Sequence, residues 1–130
     1  MNQPSLFSRI IKGEIPAHKI YEDQRTLAFL DIHPVQPGHA LIVTKTEADR
    51  LEDLGDEDYA ALMDSTRKVM RRLRQVLGCE RVCLKVEGFD VPHVHVHAIP
   101  CQRAADFWNR PDEGEPDHAA LAAMADRLRF

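Results

Sequence analysis

Long apolar runs are missing from this chain, and so is any excess of positive charge. No stretch of the 130 residues approaches the roughly 20 apolar residues of a membrane span, and the first residues lack the apolar centre of a signal peptide. The formal charge is -4 and the isoelectric point is near 5.9, which argues against a nucleic-acid or membrane-surface role resting on bulk electrostatics. Cysteine is scarce: Cys79, Cys83 and Cys101 are odd in number and form no Cys-x-x-Cys, which speaks against a disulfide framework or a thiolate zinc site. Repeats and low-complexity segments are absent. These exclusions leave the expectation of a soluble, reduced, cytoplasmic protein, long enough for one domain and too short for two.

Histidine is what the chain does have, and it is concentrated. Three of the seven histidines fall in Val91-Pro92-His93-Val94-His95-Val96-His97-Ala98-Ile99-Pro100. Strict alternation with β-branched spacers is the period of a strand, expected over His93–Ile99, with Pro92 and Pro100 as brackets. Such a strand puts His93, His95 and His97 on one face, about 6.5–7 Å apart, and Val94, Val96 and Ala98 on the other.

The remaining chain supplies a scaffold. Ser5–Gly13 reads as a short helix with Ser5 as N-cap and Gly13 as its left-handed stop. Lys19–Glu22 and Thr26–Asp31 read as a hairpin around Asp23-Gln24-Arg25, and His39–Thr44 as a buried strand behind the Pro34 to Gly38 loop. Asp56–Leu77 has helical period, with a core stripe of Tyr59, Leu62, Met63, Thr66, Val69, Met70, Leu73, Val76 and Leu77. Acids sit at its start, and Arg71, Arg72 and Arg74 in later turns read as a solvated face. Arg81–Val86 is a further strand, Ala104–Asp117 an irregular loop, and His118–Arg129 a last helix. The expected fold is α+β: about five mostly antiparallel strands with one long helix packed on a face and short terminal helices. It is expected as a single domain over residues 1–130, with its core at 5–100 and a C-terminal loop and helix at 104–130.

The histidine run admits three readings. The rings could be ordinary strand residues, although three titratable rings in a row are costly when charged. They could ligate a metal, although one straight strand rarely brings three imidazoles onto one ion. The favoured reading is nucleophilic: one imidazole attacks phosphorus while its neighbours donate hydrogen bonds to the phosphate oxygens.

The motif His93-Val94-His95-Val96-His97-Ala98-Ile99 resembles the His-φ-His-φ-His-φ-φ signature of the histidine triad (HIT) superfamily. The segment from Phe7 to Pro16, the stretch Thr26–Asp31 with Pro34, Pro37-Gly38-His39 and Leu41–Lys45 extend the resemblance over roughly residues 5 to 100. It is closest to the Hint-like branch, in which the third triad position is His. The resemblance implies a hydrolase cleaving at the α-phosphorus of nucleoside phosphoramidates or related nucleotides. His95 would be the nucleophile, His97 the phosphate and leaving-group residue, His93 a support and His39 a fourth active-site histidine. Asp31 would hold the ribose, and Phe7, Ile10, Phe29, Leu30 and Ile32 would wall the base of an AMP- or GMP-like purine nucleotide. Each has a structural alternative: Phe29 and Ile32 as core, Asp31 as a turn cap, His39 as a satisfied buried ring. The resemblance also implies a homodimer and no cofactor.

Two departures stand out. Many bacterial members carry Cys-x-x-Cys and a structural zinc where this chain has Ser5 and Ser8, with acidic Glu47 near a further ligand position, so no metal is expected. The segment Glu87-Gly88-Phe89-Asp90-Val91-Pro92 lacks the Gln and hydroxyl that usually precede the triad. The alternatives are a nucleotide-binding regulator with vestigial catalysis and a metal-dependent hydrolase using the three histidines as ligands.

Overall fold

Turn chemistry and alternation set the sheet. In the computed structural model, which describes residues 4–111 and 113–130, the hairpin of β1 (Lys19–Glu22) and β2 (Thr26–Leu30) is organised by one carboxylate. Asp23 Oδ1 accepts from the Arg25 N–H at 2.9 Å, the Thr26 N–H at 2.8 Å and the Thr26 hydroxyl at 3.0 Å, an Asx-type turn. Burial pushes the Asp23 carboxyl up, but these bonds and one from Tyr21 outweigh it and bring it to about 2.

The sheet continues with β3 (Ala40–Thr44), β4 (Arg81–Lys85) and β5 (His95–Cys101), in the order β1-β2-β3-β5-β4. Every pairing is antiparallel, and a register shift interrupts β1 against β2 between Lys19 and Tyr21. Alternation then divides the side chains. Ala28, Ile42, Val96 and Ala98 face the long helix α2 (Asp56–Leu77), where Leu62, Val69 and Leu73 complete a buried cluster. Leu27, Phe29, Leu41 and Val43 face the other way and pack under Phe7 and Ile10 of α1 (Leu6–Ile11). Truncating a fully buried member of the first cluster, such as Leu73 to Ala, would cost about 2–5 kcal/mol.

α2 starts with Asp56, Glu57 and Asp58 and stops at Gly78 with φ 65°, the charge bias and left-handed stop read from its sequence. Its stripe differs in detail. Tyr59 is 47% exposed, and a buried side chain of the sheet-facing side is Ser65, whose hydroxyl lies 2.7 Å from that of Thr26. An apolar pattern passes over a serine whose partner is 39 residues away. Arg72 is not merely solvated: Nε donates to the Leu128 carbonyl at 2.9 Å and Nη2 to those of Arg127 and Arg129 at 3.2 Å. It satisfies the C-terminal carbonyls of α4 (His118–Leu128), which the helix cannot pair itself.

The triad strand is shifted from its expected bounds. It begins at His95, because β3 ends at Thr44 and its last register pair with β5 is Val43 with His95. Beyond that point the Val94 N–H donates to the Ala48 carbonyl at 2.7 Å, and His93 lies in the preceding bend. At the other end Pro100 is inside the strand, opposite Val82 of β4, and not a bracket. β3 has stopped opposite Ala98, so Pro100 has a ladder partner on one side only, and its missing donor is tolerated. The expected irregular loop holds a short helix, α3 (Ala104–Trp108), in which the Asp106 side chain accepts from the Arg103 N–H. Asp112, in the same expected loop, and residues 1–3 lie outside the described residues.

Candidate active site

His93 is held on both ring nitrogens. Its Nε2 lies 2.7 Å from the Thr44 carbonyl, which can only accept, so Nε2 carries the proton. In the neutral ring Nδ1 is then an acceptor, and the Ser5 hydroxyl donates to it at 2.8 Å. Ser5 is in place because it caps α1: its Oγ accepts from the Ser8 N–H at 3.0 Å and its own N–H donates to Glu47 at 2.9 Å. Burial holds His93 below its ordinary pKa, against the Thr44 carbonyl and the Glu47 charge. The ring is fully buried and does not face the cavity described below.

His95 inherits its state from that anchor. Its Nδ1 donates to the His93 carbonyl at 2.7 Å, which puts the ring proton on Nδ1 and leaves the Nε2 lone pair free. The edge of Phe7 meets the ring at 4.8 Å between centroids.

His97 is set by His39, just before β3. The Val35 N–H donates to His39 Nδ1 at 3.1 Å, so neutral His39 carries its proton on Nε2 and donates it to His97 Nδ1 at 2.9 Å. Neutral His97 therefore carries its proton on Nε2, a buried donor with no partner among the described residues. Burial lowers His97 to about 3, with His39 adding to it. Burial also lowers His39 to about 4, opposed by Asp31, whose carboxylate lies 3.6 Å away. Gly38 lets the chain turn into His39: its φ is +90°, and a Cβ there would lie 2.7 Å from Leu77.

A cavity of about 400 Å³ opens over this face of the sheet. Phe7, Ile10, Phe29, Ile32 and Leu41 line it with apolar surface, and Asp31, His95 and His97 supply its polar groups. Leu30 borders it, while its side chain packs in the α2-side cluster, as alternation from Phe29 requires. Of the residues singled out in the sequence, all but His39 and His93 border the cavity, and those two stand behind His97 and His95. Sequence reasoning passed over Leu41, Glu87, Asp90 and Val91 in the wall, and Lys85, which pairs with His97 across β4 and depresses its pKa. Alternation in β4 would have found Lys85 only with the β4–β5 register in hand.

Two groups could offer three ligand atoms to a metal ion, Asp31/His39/His97 and Glu87/His95/His97, with the atoms within 4.8 Å of one another. Among the described residues no such group includes His93, so the three-histidine metal centre weighed from the sequence does not form. Occupying either group would also mean stripping the proton from His97 Nε2 or opening its bond to His39.

An apolar cavity closed by two imidazoles of an inner strand, with a third ring as anchor, defines a histidine-triad site. The chain belongs to that family: residues 12–104 match the HIT domain model, and its similarities fall in the Hint-like branch. It is 38% identical over 100 residues to an uncharacterized HIT-like protein of Methanocaldococcus jannaschii, covering 73% of this chain and 77% of that one. It is 36% identical over 100 residues to the adenosine 5'-monophosphoramidase of Schizosaccharomyces pombe, covering 73% and 72%. The crystal structure of a HIT-like protein from Bartonella henselae, involved in cell-cycle regulation, superposes with a TM-score of 0.84 at 25% identity over 98% of this chain and 96% of that one.

Proposed function

We propose that the protein is a nucleotidyl hydrolase that cleaves at the α-phosphorus of purine nucleoside phosphoramidates or related nucleotides through a nucleotidyl-histidine intermediate. The observation that carries this reading is the bond from His95 Nδ1 to the His93 carbonyl, which leaves Nε2 of His95 as a lone pair at the polar end of an apolar cavity. In this reading His95 attacks phosphorus, the leaving group departs and water then releases the monophosphate. The unpartnered Nε2–H of His97 donates to a phosphate oxygen, where charge grows in the transition state. Asp31 accepts from the ribose hydroxyls, and Phe7, Ile10, Phe29 and Ile32 enclose the base.

The experiment is a rapid acid quench with adenosine phosphoramidate carrying a label in the adenylate. The wild type should carry an acid-labile adenylate on the peptide containing His95. His95→Asn should lose turnover by a factor of about 10³ or more while still binding AMP. Near-normal turnover in His95→Asn, or label elsewhere, would sink the covalent mechanism. A second reading, a nucleotide-binding regulator without turnover, draws on the segment Glu87–Pro92, which lacks the Gln and hydroxyl named above; AMP binding with no turnover of any nucleotide would favour it.

The working form in this proposal is a homodimer. β4 ends the sheet with one side unpaired, and Leu84, Val86 and Tyr59 of α2 are exposed large apolar residues. Sedimentation of the wild type should give twice the chain mass, and Leu84→Lys should shift it toward one. No described helix is long and apolar enough to cross a membrane. The free thiols of Cys79, Cys83 and Cys101 support placement in the reducing cytoplasm.

A further inference from the structure

The active-site cavity has a neighbour. A second, more polar cavity of about 530 Å³ lies between the segment 49–52 and the segment 86–89, reaching Arg50, Glu52 and Phe89. Among the described residues only His95 and Glu87 border both cavities. A carboxylate oxygen of Glu87, Nε2-bearing His95 and His97 offer atoms within 4.8 Å of one another. The carboxylate is held there by its own loop: Oε2 accepts from the Phe89 N–H at 3.3 Å across Gly88, whose φ of +76° makes the bend.

The apolar cavity with Asp31 fits the nucleoside half of the substrate. The polar cavity, which shares His95 and Glu87 with the apolar one, is then where a leaving group departs and water arrives. In-line displacement requires that water take the leaving group's place, opposite the nucleophile. The Gln and hydroxyl that usually stand before a HIT triad are absent here, and of the two carboxylates of this segment that line the apolar cavity, Glu87 and Asp90, Glu87 is the one that also borders the polar cavity.

We propose that Glu87 is the general base of the hydrolytic step, an assignment that rests on the phosphoramidase reading above. A water in the polar cavity gives a proton to the Glu87 carboxylate as its oxygen bonds to phosphorus. The bond from phosphorus to His95 Nε2 breaks, and its electron pair returns to that nitrogen. The nucleotidylated ring, positively charged with its proton on Nδ1, becomes neutral again, and the negative charge of Glu87 is neutralised by the proton it accepts. Charge and atoms balance with water as the only co-reactant.

The test is Glu87→Gln, which keeps size and removes the base. Rapid quench with labelled adenosine phosphoramidate should show adenylate on His95 building toward one equivalent while steady-state turnover falls about 10²-fold or more, within the range of general-base catalysis. Azide has no proton to lose and needs no base, so it should discharge the accumulated adenylate from the variant. A general loss of fold or of binding would lower labelling and give azide nothing to discharge. Label that forms in the wild type but does not build up in Glu87→Gln, or that azide leaves in place, overturns the role of Glu87 alone. If neither protein is ever labelled, the covalent phosphoramidase reading falls and this assignment falls with it.

Discussion

The Ser5 hydroxyl and Nδ1 of His93 lie 2.8 Å apart, both residues shut away from solvent. A helix cap thereby satisfies the second ring nitrogen of a histidine 88 residues away, whose tautomer the Thr44 carbonyl sets, and that histidine presents its carbonyl to the ring of His95. The hydroxyl serves in two bonds at once, accepting from Ser8 and donating to His93.

Ser5→Ala should therefore do more than weaken a short helix. It leaves His93 Nδ1 as a buried acceptor without this donor, a loss of about 1–3 kcal/mol. Thermal unfolding should show the drop. In the phosphoramidase reading, kcat should fall more than nucleotide affinity, because the nucleoside contacts do not pass through His93. An unchanged melting temperature would mean that Ser8, 3.4 Å from the same nitrogen, or water replaces the bond at no cost.

The same corner makes a prediction about zinc. Ser5, Ser8, Glu47 and His93 converge, but serine hydroxyls bind zinc poorly. Metal analysis of the dialysed protein should find well under one equivalent. Replacing Ser5 and Ser8 by Cys and Glu47 by His should create a site that retains one zinc, with His93 Nδ1 as the fourth ligand. Stoichiometric zinc in the unaltered protein would contradict this.

Asp31 should discriminate sugars. Its carboxylate borders the cavity and holds the His33 N–H through Oδ1. A 2′-deoxynucleotide leaves an acceptor unpaired, worth about 1–3 kcal/mol. Calorimetry with AMP and 2′-deoxy-AMP should show that preference, and Asp31→Ala should erase it. An equal preference before and after substitution would remove Asp31 from the site.

Acid should destabilise the fold through the site's own histidines. Burial holds His97 near 3 and His39 near 4, whereas the unfolded chain titrates near the ordinary value of about 6.5. Between those limits the unfolded state binds more protons, so stability is full above about pH 6.5 and falls as pH drops toward the folded values. Each ring contributes at most about 1.4 kcal/mol per pH unit. Melting temperatures between pH 8 and 5 should fall on acidification, and His97→Gln should flatten the slope.

Much of this was legible because local chemistry wrote it. The capping serine, the Asp23 turn, the acidic start and glycine stop of α2, and the alternation of His95 and His97 each carry their structure within a few residues. What was not legible depends on pairing over distance. Nothing in the sequence says that β3 runs out opposite His95, so the first histidine was expected in the row that it in fact underpins. Ser65 escaped notice because its partner is Thr26 and not a neighbour in α2. Glu87 is legible in the sequence only as part of a segment that lacks the Gln and hydroxyl, because the meeting of two cavities at it depends on the fold.

The division of β5 between two faces makes this strand answerable to two different demands. Val96 and Ala98 are judged by whether the chain stays folded, and His95 and His97 by whether a folded chain is of any use. A saturation scan that sorts variants first by cellular abundance and then by activity should alternate along residues 95–98: even positions lost at the first sorting, odd positions surviving it more often and failing at the second. The sheet's pleat would then be visible as a rhythm in a list of tolerated letters, with no structure consulted. His93 should break the beat: packed like a core residue and bonded like a polar one, it should fail at the first sorting, with its neighbour Val94.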